Sequence, residues 1–460
     1  MLLRGLSNQN PLLILTINLK MIKKIIRKLL PKSNKNLLNA NDFGIQHKLL
    51  PKYALKSVQA LQDAGFEAYI VGGAVRDLLA GLTPKDFDIA TNATPDEVRK
   101  VFRRGRIVGK RFPIVILPFG AELLEITTFR SNVTAPQNEQ GRIMRDTAFG
   151  TRKEDARRRD FTCNALYYDP VAEKIADDIH GIADIQARRL VMIGEPDERF
   201  HEDPVRMLRA ARLSAKLGFS LSAEIENSIR KNSFLLKNEP PARLFDEITK
   251  ELLCGNSSGC LKNIKSLNIP ADIHPIFAIM ITHDDDSTRQ FVQTVLQRTD
   301  ERVKHKKPVS IAFVLAALFW HKLQQIEQDL HTLDDKPTQT LHAAIRQIRE
   351  DGGERWGVPN RLFTVMREIW QLQPQFAYIR GKRPFRLLKQ PSFRAAYDFY
   401  VLRSLNQDAD PKIAEFWTKF QAANEEQRMM MTQPIVQRST NKKRRKRKPK
   451  KDNQGTENEP

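Results

Sequence analysis

Two aspartates, Asp86 and Asp88, carry the clearest chemical signal in this sequence because a single residue separates them. Side chains at positions i and i+2 of a strand point to the same face, so a strand here would project both carboxylates together. Like charges held this close require a cation between them. Mg²⁺ suits the role because it prefers one or two carboxylates combined with substrate phosphates. The pair is therefore predicted to be a magnesium site.

A glycine pair lies upstream of the aspartates, within Tyr69-Ile-Val-Gly-Gly-Ala-Val-Arg-Asp77. The pattern predicts a strand, a turn at Gly72 and Gly73, and then a helix. Backbone without side chains lets a triphosphate approach closely, and the N-terminus of a helix favours its negative charge. Arg76 can reach a phosphate with two hydrogen bonds. Together with the aspartates, these residues outline a site for nucleotidyl transfer.

Glu125 is the candidate for a third metal-binding carboxylate. It lies in the segment Leu123–Phe129, which is predicted to be a strand. If this strand neighbours the one that carries the two aspartates, its carboxylate joins theirs. The alternative is a solvated strand residue with no part in metal binding, and the sequence leaves both readings open.

Two clusters of arginines and carboxylates follow. The first is Arg157-Arg-Arg-Asp160. Its arginines could hold a triphosphate, and Asp160 could bind ribose hydroxyls or hold an arginine in place. The second contains Asp203, Arg206 and Arg209, which recur every three residues and are predicted to share one stripe of a helix. Asp203 could accept a hydrogen bond from the adenine amino group while an arginine donates to a ring nitrogen. An intrahelical ladder of salt bridges is the alternative.

The net charge of +22 predicts a polyanionic partner, either nucleic acid or an anionic membrane. Nine positive charges lie in Lys442–Lys451, which is predicted to be disordered and to contact nucleic acid. Met21–Leu30 is basic and amphipathic, which predicts a helix on a membrane surface or on RNA. The alternative there is a frayed leader ahead of a true start at Met21. The three cysteines fit no disulfide or metal-ligand spacing and predict reduced thiols in a cytoplasmic protein.

The distribution of these signals predicts an α+β chain, because strand patterns end near Glu202 and helical patterns follow. The expected parts are an N-terminal extension (1–45), a nucleotide-binding head (46–190), a helical neck that recognises the nucleotide and binds RNA (191–255), a helical RNA-binding body (256–435) and a disordered basic tail (436–460).

Five segments in this order resemble the class II nucleotidyltransferases, which include the CCA-adding tRNA enzymes and the bacterial poly(A) polymerases: GGAVRD, KDFDIAT, EITTFR, RRRDFTCNAL and EDPVRMLRAARL. The resemblance covers about Tyr69 to Gly218. It implies a polymerase-β-like head, a helical neck and body, and two-metal transfer of a nucleotide to an RNA 3′ hydroxyl. Asp86 and Asp88 would match the family's metal carboxylates and Asp160 its third catalytic acid. The residues that would match its nucleotide contacts are Gly73, Arg76, Arg159, Arg206 and Arg209.

Three features are similar to the poly(A) polymerase branch of that family: Pro84–Ile89 with Arg106–Phe112, the segment Phe385–Tyr400, and the basic tail. They predict a template-independent enzyme that adds AMP from ATP to RNA 3′ ends with Mg²⁺. Such an enzyme would promote RNA processing and decay, with RNA-decay machinery as a further partner.

Three alternatives are weighed against that prediction. A CCA-adding enzyme would use CTP as well as ATP. An RNA-binding protein on an inactive transferase scaffold is disfavoured by the intact Asp86 and Asp88 pair. A phosphohydrolase built on His283-Asp284 is weak, because one such dipeptide is far from a metal site.

Overall fold

The computed structural model describes residues 37–109, 113–131, 149–282, 285–331 and 337–433. The N-terminal segment up to residue 36, the basic tail and His283-Asp284 lie outside these ranges, and so do the predictions made for them. No helix in the described ranges is long and apolar enough to cross a membrane.

The described part of the head contains one mixed sheet. Its strands are β1 (Leu37–Asn39), β2 (Ala68–Val71), β3 (Asp88–Thr91), β4 (Arg106–Val108), β5 (Ile114–Phe119), β6 (Glu122–Thr128), β7 (Leu166–Asp169) and β8 (Lys174–Asp177). Their order across the sheet is β1-β8-β7-β2-β3-β6-β5-β4. Strands β3 and β6 run parallel, and the other neighbouring pairs are antiparallel. The parallel pair lies inside the sheet, with four strands on one side of it and two on the other.

Five helices accompany the sheet: α1 (Lys52–Asp63), α2 (Gly73–Leu79), α3 (Pro95–Val101), α4 (Arg152–Arg158) and α5 (Gly181–Gln186). Local sequence sets the start of two of them. Thr94 and Glu97 form a reciprocal capping box on α3, and Thr151 and Glu154 do the same on α4. These boxes satisfy backbone N–H groups that have no partner within the helix. The start of α4, the helix that leads into Asp160, is therefore encoded locally.

Helices dominate the chain after the head. They are α6 (Pro196–Glu202), α7 (Val205–Leu217), α8 (Ala223–Asn232), α9 (Pro241–Leu252), α10 (Ser257–Ser266), α11 (Pro275–Ile281), α12 (Asp286–Lys304), α13 (Ile311–Leu318), α14 (Trp320–His331), α15 (Pro337–Gly352), α16 (Asn360–Leu372), α17 (Arg383–Leu388), α18 (Phe393–Leu405), α19 (Pro411–Ala422) and α20 (Glu425–Thr432). Two short strands, β9 (Arg189–Leu190) and β10 (Ser220–Leu221), pair in parallel beside α7. The predicted α+β class, with strands first and helices after, is confirmed.

The hydrophobic core explains how the head is joined to the helices. One continuous core runs from the sheet through the neck and body helices as far as Leu402. Strand β2 contributes Ile70 to it, while Val71 points to a smaller core on the opposite face of the sheet, as the two-residue period of a strand requires. The last helices pack around a separate core that contains Phe376 and Trp417. The head and the C-terminal end therefore rest on different cores.

Candidate functional site

A cavity of about 880 Å³ lies where the head sheet meets the neck helices. Every residue predicted for metal or nucleotide binding lines it except Asp86 and Arg157, and Arg157 is exposed on α4. The predicted residues in its wall are Gly72, Gly73, Arg76, Asp88, Glu125, Arg159, Asp160, Asp203, Arg206 and Arg209. Residues that lie up to 137 positions apart in the sequence therefore meet at one place.

Two carboxylates form one end of the cavity. The parallel register of β3 and β6 sets Asp88 beside Glu125, so the expectation that the two strands are neighbours is confirmed. Neither carboxylate has an ion-pair partner among the described residues. Burial, together with the negative charges of Glu125 and Asp86, raises the pKa of Asp88 to about 6, although the positive charge of Arg159 acts in the opposite direction. Negative charge at this end therefore has no ion-pair partner among the residues that the structure describes.

Asp86 differs from the prediction. Strand β3 begins at Asp88, so the prediction that one strand carries both aspartates is wrong for Asp86. Pairing with β2 ends at the Val71–Asp88 pair, because the β2 chain turns away at Gly72. Asp86 is exposed and Phe87 between them is buried, so the alternation of side chains still continues past the end of the strand. Its charge remains close enough to raise the pKa of Asp88.

The glycine turn fits closely against an arginine. Gly72 has φ +65°, and a Cβ at this position would lie 3.0 Å from Nη1 of Arg159. Both the backbone angle and the space therefore favour glycine. Gly73 begins α2, and a Cβ there would meet Arg76 at an ordinary contact distance of 3.5 Å. Of the two glycines, Gly72 is the one that the backbone requires.

Arg76 is held by protein groups. Its Nε and Nη2 donate to Oδ1 of Asp77 at 2.8 and 2.5 Å, and its Nη1 donates to Oδ1 of Asn164 at 2.6 Å. Oδ2 of Asp77 also accepts a hydrogen bond from Lys216 at 2.8 Å. Arg76 is buried, and three of its five N–H donors are engaged in this way. The expected two-bond phosphate contact would have to compete with them.

Arg159 lies in a small network that sequence reasoning missed. It donates to Asp155 Oδ2 at 3.1 Å and to the Tyr167 hydroxyl at 2.9 Å, and Tyr167 donates to the same Asp155 oxygen at 2.6 Å. Asp155 and Arg159 are four residues apart at the end of α4, a spacing that could have identified the pair. Tyr167, from β7, has no such local signal.

Asp160 joins the head to the neck. Its Oδ2 accepts hydrogen bonds from Nε and Nη2 of Arg209 at 2.8 and 2.6 Å, and its Oδ1 accepts from Asn164 Nδ2 and the Phe161 N–H. Burial acts to raise the pKa of Asp160, but the charge of Arg209 and these hydrogen bonds hold it well below its usual range. Of the roles predicted for Asp160, holding an arginine matches its contacts, while ribose binding and the role of third catalytic acid stay predictions.

Asp203 lies outside the helix that carries its predicted partners. Helix α7 begins at Val205, and Asp203 has an extended backbone with φ −152° and ψ 90°. The predicted single helical stripe is therefore wrong for Asp203. Pro204 supplies the physical reason, because its ring disfavours helical geometry in the residue before it.

The alternative of an intrahelical ladder also fails. Arg209 pairs with Asp160 of the head, and Arg206 pairs at 2.8 Å with Glu202, which lies in α6 rather than α7. Asp203 accepts a hydrogen bond at 2.7 Å from Arg243 of α9. The three predicted residues are therefore brought to the cavity by contacts between helices and between head and neck.

Helix α9 supplies further residues that sequence reasoning missed. Arg243 pairs with Glu239 at 2.9 Å as well as with Asp203, and Glu247 pairs with Arg212 at 2.6 Å. Glu247 also lies 3.9 Å from Arg209. The four-residue spacing of Arg243 and Glu247 marks one face of α9, and Glu239, which precedes the helix, continues that spacing; this was the available signal. This face forms the wall of the cavity opposite the head.

No group of three or more His, Cys, Asp or Glu side chains in the described ranges is arranged to hold a metal ion. The set Asp86, Asp88 and Glu125 therefore stays a prediction as a group of metal ligands.

Three family models match the chain. The model described as "Poly A polymerase head domain" matches residues 68–191. "Probable RNA and SrmB- binding site of polymerase A" matches 218–280, and "Polymerase A arginine-rich C-terminus" matches 334–451.

Curated relatives match over most of the chain. Poly(A) polymerase I of Salmonella typhi is 38% identical over 85% of this chain and 87% of its own length. Poly(A) polymerase I of Haemophilus influenzae is 38% identical over 87% of this chain and 91% of its own length. A CCA-adding enzyme of Bacillus pumilus is 41% identical, but over only 44% of this chain and 49% of its own length.

Solved structures share the fold. The CCA-adding enzyme of Bacillus stearothermophilus, in complex with CTP, has a TM-score of 0.53 at 25% identity, over 79% of this chain and 80% of that chain. A tRNA nucleotidyltransferase with a primer tRNA and an incoming ATP analog has a TM-score of 0.52 at 22% identity, over 80% of this chain and 98% of that chain. These likenesses confirm the predicted fold of a nucleotidyltransferase head followed by helices.

Proposed function

The chain belongs to the poly(A) polymerase I family, and on that premise we propose that its head–neck cavity binds ATP and passes AMP to the 3′ hydroxyl of an RNA. The observation that supports this activity is the share of the chain that each relative matches. In sequence, the poly(A) polymerase I relatives of Salmonella typhi and Haemophilus influenzae match at least 85% of the chain, whereas the CCA-adding enzyme of Bacillus pumilus matches less than half of it. The chain is thus a nucleotidyltransferase, and polyadenylation is favoured over CCA addition.

Asp88, Glu125 and Asp86 are the residues we assign to Mg²⁺. They fit it because a hard cation takes oxygen ligands, and because no described cation neutralises Asp88 or Glu125. When bound, Mg²⁺ would activate the RNA 3′ hydroxyl and neutralise charge on the departing pyrophosphate. A two-metal arrangement remains part of this proposal.

The arginines are assigned to positioning and charge. Arg159 lies against the Gly72 turn, where a phosphate would pass, and its charge favours the ionised form of Asp88. Arg206 and Arg209 are anchored by Glu202 and Asp160, which leaves them little freedom to move when a nucleotide enters. Fixed donors of this kind can stabilise charge that develops on the phosphoryl oxygens.

Asp203 is assigned to the base. Its Oδ2 accepts from Arg243 and its Oδ1 from the N–H of Val205 at 3.3 Å. A carboxylate has about four acceptor positions, so two remain for the adenine amino group. A neighbouring arginine would donate to a ring nitrogen, as the sequence suggested. Selection of ATP would then come from the neck and not from the metal site.

RNA and nucleoside triphosphate are the partners that the family supports. The domain bounds given above, contact with RNA-decay machinery, and membrane contact through residues 21–30 remain predictions. Residues 21–30 lie outside the described ranges.

One assay tests the activity. The purified protein is given Mg²⁺ and either an unstructured RNA or a tRNA that lacks its 3′ terminus, with each nucleoside triphosphate separately. Long A tails on the general RNA are expected with ATP alone. Addition that stops at CCA on the tRNA, or that needs CTP, would overturn the proposal in favour of the CCA-adding alternative.

A further inference from the structure

A second cavity, of about 460 Å³, lies in the C-terminal part of the chain and has no role in the site described above. It is lined by residues between Ala377 and Arg386, here named the basic–aromatic loop. The loop leads into α17, and its base packs on the separate core around Phe376 and Trp417. It belongs to a different core from the head–neck cavity, so it can be altered without disturbing the proposed catalytic residues.

The loop carries positive charge that the protein leaves unpaired. Lys382, Arg383 and Arg386 are exposed, and none forms an ion pair with a carboxylate among the described residues. Other arginines of the same region do form ion pairs. Arg394 pairs with Asp398 at 3.0 Å, and Arg403 pairs with Asp408 at 2.8 Å. A concentration of unpaired cations around one cavity is the arrangement expected for binding an anionic ligand.

An aromatic ring lies among these cations. Tyr378 is 51% exposed, and the guanidinium carbon of Arg383 lies 4.3 Å from the centre of its ring. Exposed rings of this kind stack with unpaired nucleic-acid bases, and arginine planes do the same. A ring flanked by cations therefore matches both parts of a nucleotide, the base and the phosphate. An acidic peptide would use the cations but would have no need of the ring.

The backbone of the loop is fixed before any ligand binds. Gly381 has φ +66°, a conformation that favours glycine, and its N–H donates to the carbonyl of Thr432 at 3.0 Å. The guanidinium of Arg380 donates to the carbonyl of Gln433. At the other end, Trp417 Nε1 donates to the carbonyl of Phe376 at 2.9 Å. A site whose backbone is already ordered loses less conformational entropy on binding.

The position of Gln433 links the loop to the basic tail. Gln433 is the last described residue, and Lys442, the first of the nine tail cations, follows it by nine positions. Nine residues span at most roughly 30 Å even when fully extended. The tail cations therefore stay within reach of a strand that is bound at the loop. Two sites joined in this way would bind one polyanion with a raised effective concentration.

We propose that the basic–aromatic loop is an anchoring site for single-stranded RNA, where one base stacks on Tyr378 and the adjoining phosphates pair with Lys382, Arg383 and Arg386. The inference rests on the proposed function, since it assigns the loop to the RNA whose 3′ end is extended. It adds a defined contact upstream of that end. Short primers would lie outside its reach, and long ones would use it.

The test compares two double variants of the full chain. Arg383→Gln/Arg386→Gln removes two unpaired loop cations. The matched control is Arg298→Gln/Arg394→Gln, which removes two exposed cations that already pair with Glu301 and Asp398. Binding of an oligoadenylate of about 20 nucleotides, labelled at its 5′ end, is measured by fluorescence anisotropy without ATP or Mg²⁺.

The loop variant is expected to weaken binding about tenfold and to reduce the slope of log K against log salt by about 1.4, the value for two phosphates on a single strand. The control is expected to bind within about twofold of the unchanged protein. Equal binding by both variants would overturn the proposal.

Two further measurements separate stacking from charge. Tyr378→Ala is expected to weaken binding about fivefold, since stacking on one base is worth about 1 kcal/mol or more, and Tyr378→Phe is expected to restore it. Polyglutamate of similar length serves as an anionic competitor without bases. If the loop variant loses polyglutamate binding as strongly as RNA binding, and Tyr378→Ala loses neither, the loop is a general anion site and the RNA assignment is wrong.

Activity assays keep this inference distinct from the proposed function. With the long primer, the loop variant is expected to show a raised KM for RNA and an unchanged KM for ATP. With a primer of about four nucleotides, which the proposal places short of the loop, its kcat should equal that of the control. If the unchanged protein extends neither primer, the proposed function fails. If it extends both and the variants do not differ, only the loop assignment fails.

Discussion

The two ends of the head–neck cavity handle charge in opposite ways. At the sheet, Asp88 and Glu125 lie side by side with no paired cation among the described residues, and the pKa of Asp88 is raised to about 6. At the neck, Asp160 is bound by Arg209 and its pKa is held well below the usual range. Among the described residues, the sheet end keeps two carboxylates without an ion-pair partner, while the neck end pairs its carboxylate with an arginine. One end is suited to bind a metal and the other to present fixed donors and acceptors.

Removal of Asp88 is expected to have the largest effect. Asp88→Ala should lower the rate of AMP incorporation by about 10³-fold or more, because the metal that activates the 3′ hydroxyl would lose a ligand. RNA binding without Mg²⁺ should stay within about twofold. The matched control is Asp96→Ala, an exposed carboxylate on α3 whose partner Arg99 is 3.9 Å away. Near-normal activity in Asp88→Ala would show that the sheet end is not the metal site.

Removal of Asp160 is expected to destabilise the fold. Asp160→Ala leaves the Arg209 guanidinium partly buried without its main partner, which should cost about 2 to 4 kcal/mol of unfolding free energy. Urea denaturation measures this. The double variant Asp160→Ala/Arg209→Ala should lose less unfolding free energy than the two single variants lose in sum, because the two residues form one ion pair. If the losses of unfolding free energy in the two single variants add up to the loss in the double variant, the Asp160–Arg209 contact does not couple the head to the neck.

Asp88→Asn should stabilise the fold, in contrast to Asp160→Ala. The folded protein holds the Asp88 proton more tightly than the unfolded chain, since its pKa of about 6 exceeds the ordinary value of 3.8 for an aspartate. Stability therefore falls as pH rises from about 4 to about 6, where the unfolded chain has lost the Asp88 proton and the folded protein still holds it; the cost is fully present above pH 6 and absent below about pH 4. In metal-free protein at neutral pH, Asp88→Asn should raise the unfolding free energy by about 1 to 3 kcal/mol. No gain at neutral pH, or the same gain at about pH 4, would contradict this account.

Glu125→Gln offers the finest test of the sheet end. It removes a neighbouring negative charge, so the pKa of Asp88 should fall toward its ordinary value, which carboxyl ¹³C NMR can follow. If Glu125 also binds the metal, the Mg²⁺ concentration for half-maximal activity should rise about tenfold. A lower Asp88 pKa with unchanged Mg²⁺ dependence would leave Glu125 as an electrostatic neighbour and not a ligand.

Local patterns predicted the elements well and the contacts poorly. The strand at Tyr69, the glycine turn, the helix after it and the α+β order all follow from spacing and composition. The sequence could only suppose that Asp88 and Glu125 lie on neighbouring strands; it did not predict that pairing. Asp86 fell outside its expected strand because its pairing partner turns away at Gly72, and Asp203 fell outside its expected helix because proline follows it. The effect of the proline on Asp203 could have been predicted from the sequence, whereas the end of strand pairing at Asp88 could not.

What the sequence determined by itself was the inventory of chemical groups: a carboxylate pair after a glycine turn, arginines in two clusters, and a strongly basic chain end. These follow from residue type and short-range geometry, which a linear pattern records. Tertiary structure alone decided which arginines are already held by carboxylates and which carboxylates are left without a cation. That outcome depends on pairs such as Asp160 with Arg209 and Asp88 with Glu125, whose partners lie tens of residues apart. Charge compensation acts through space, so it could be assigned only once the sheet and the neck helices had been brought together.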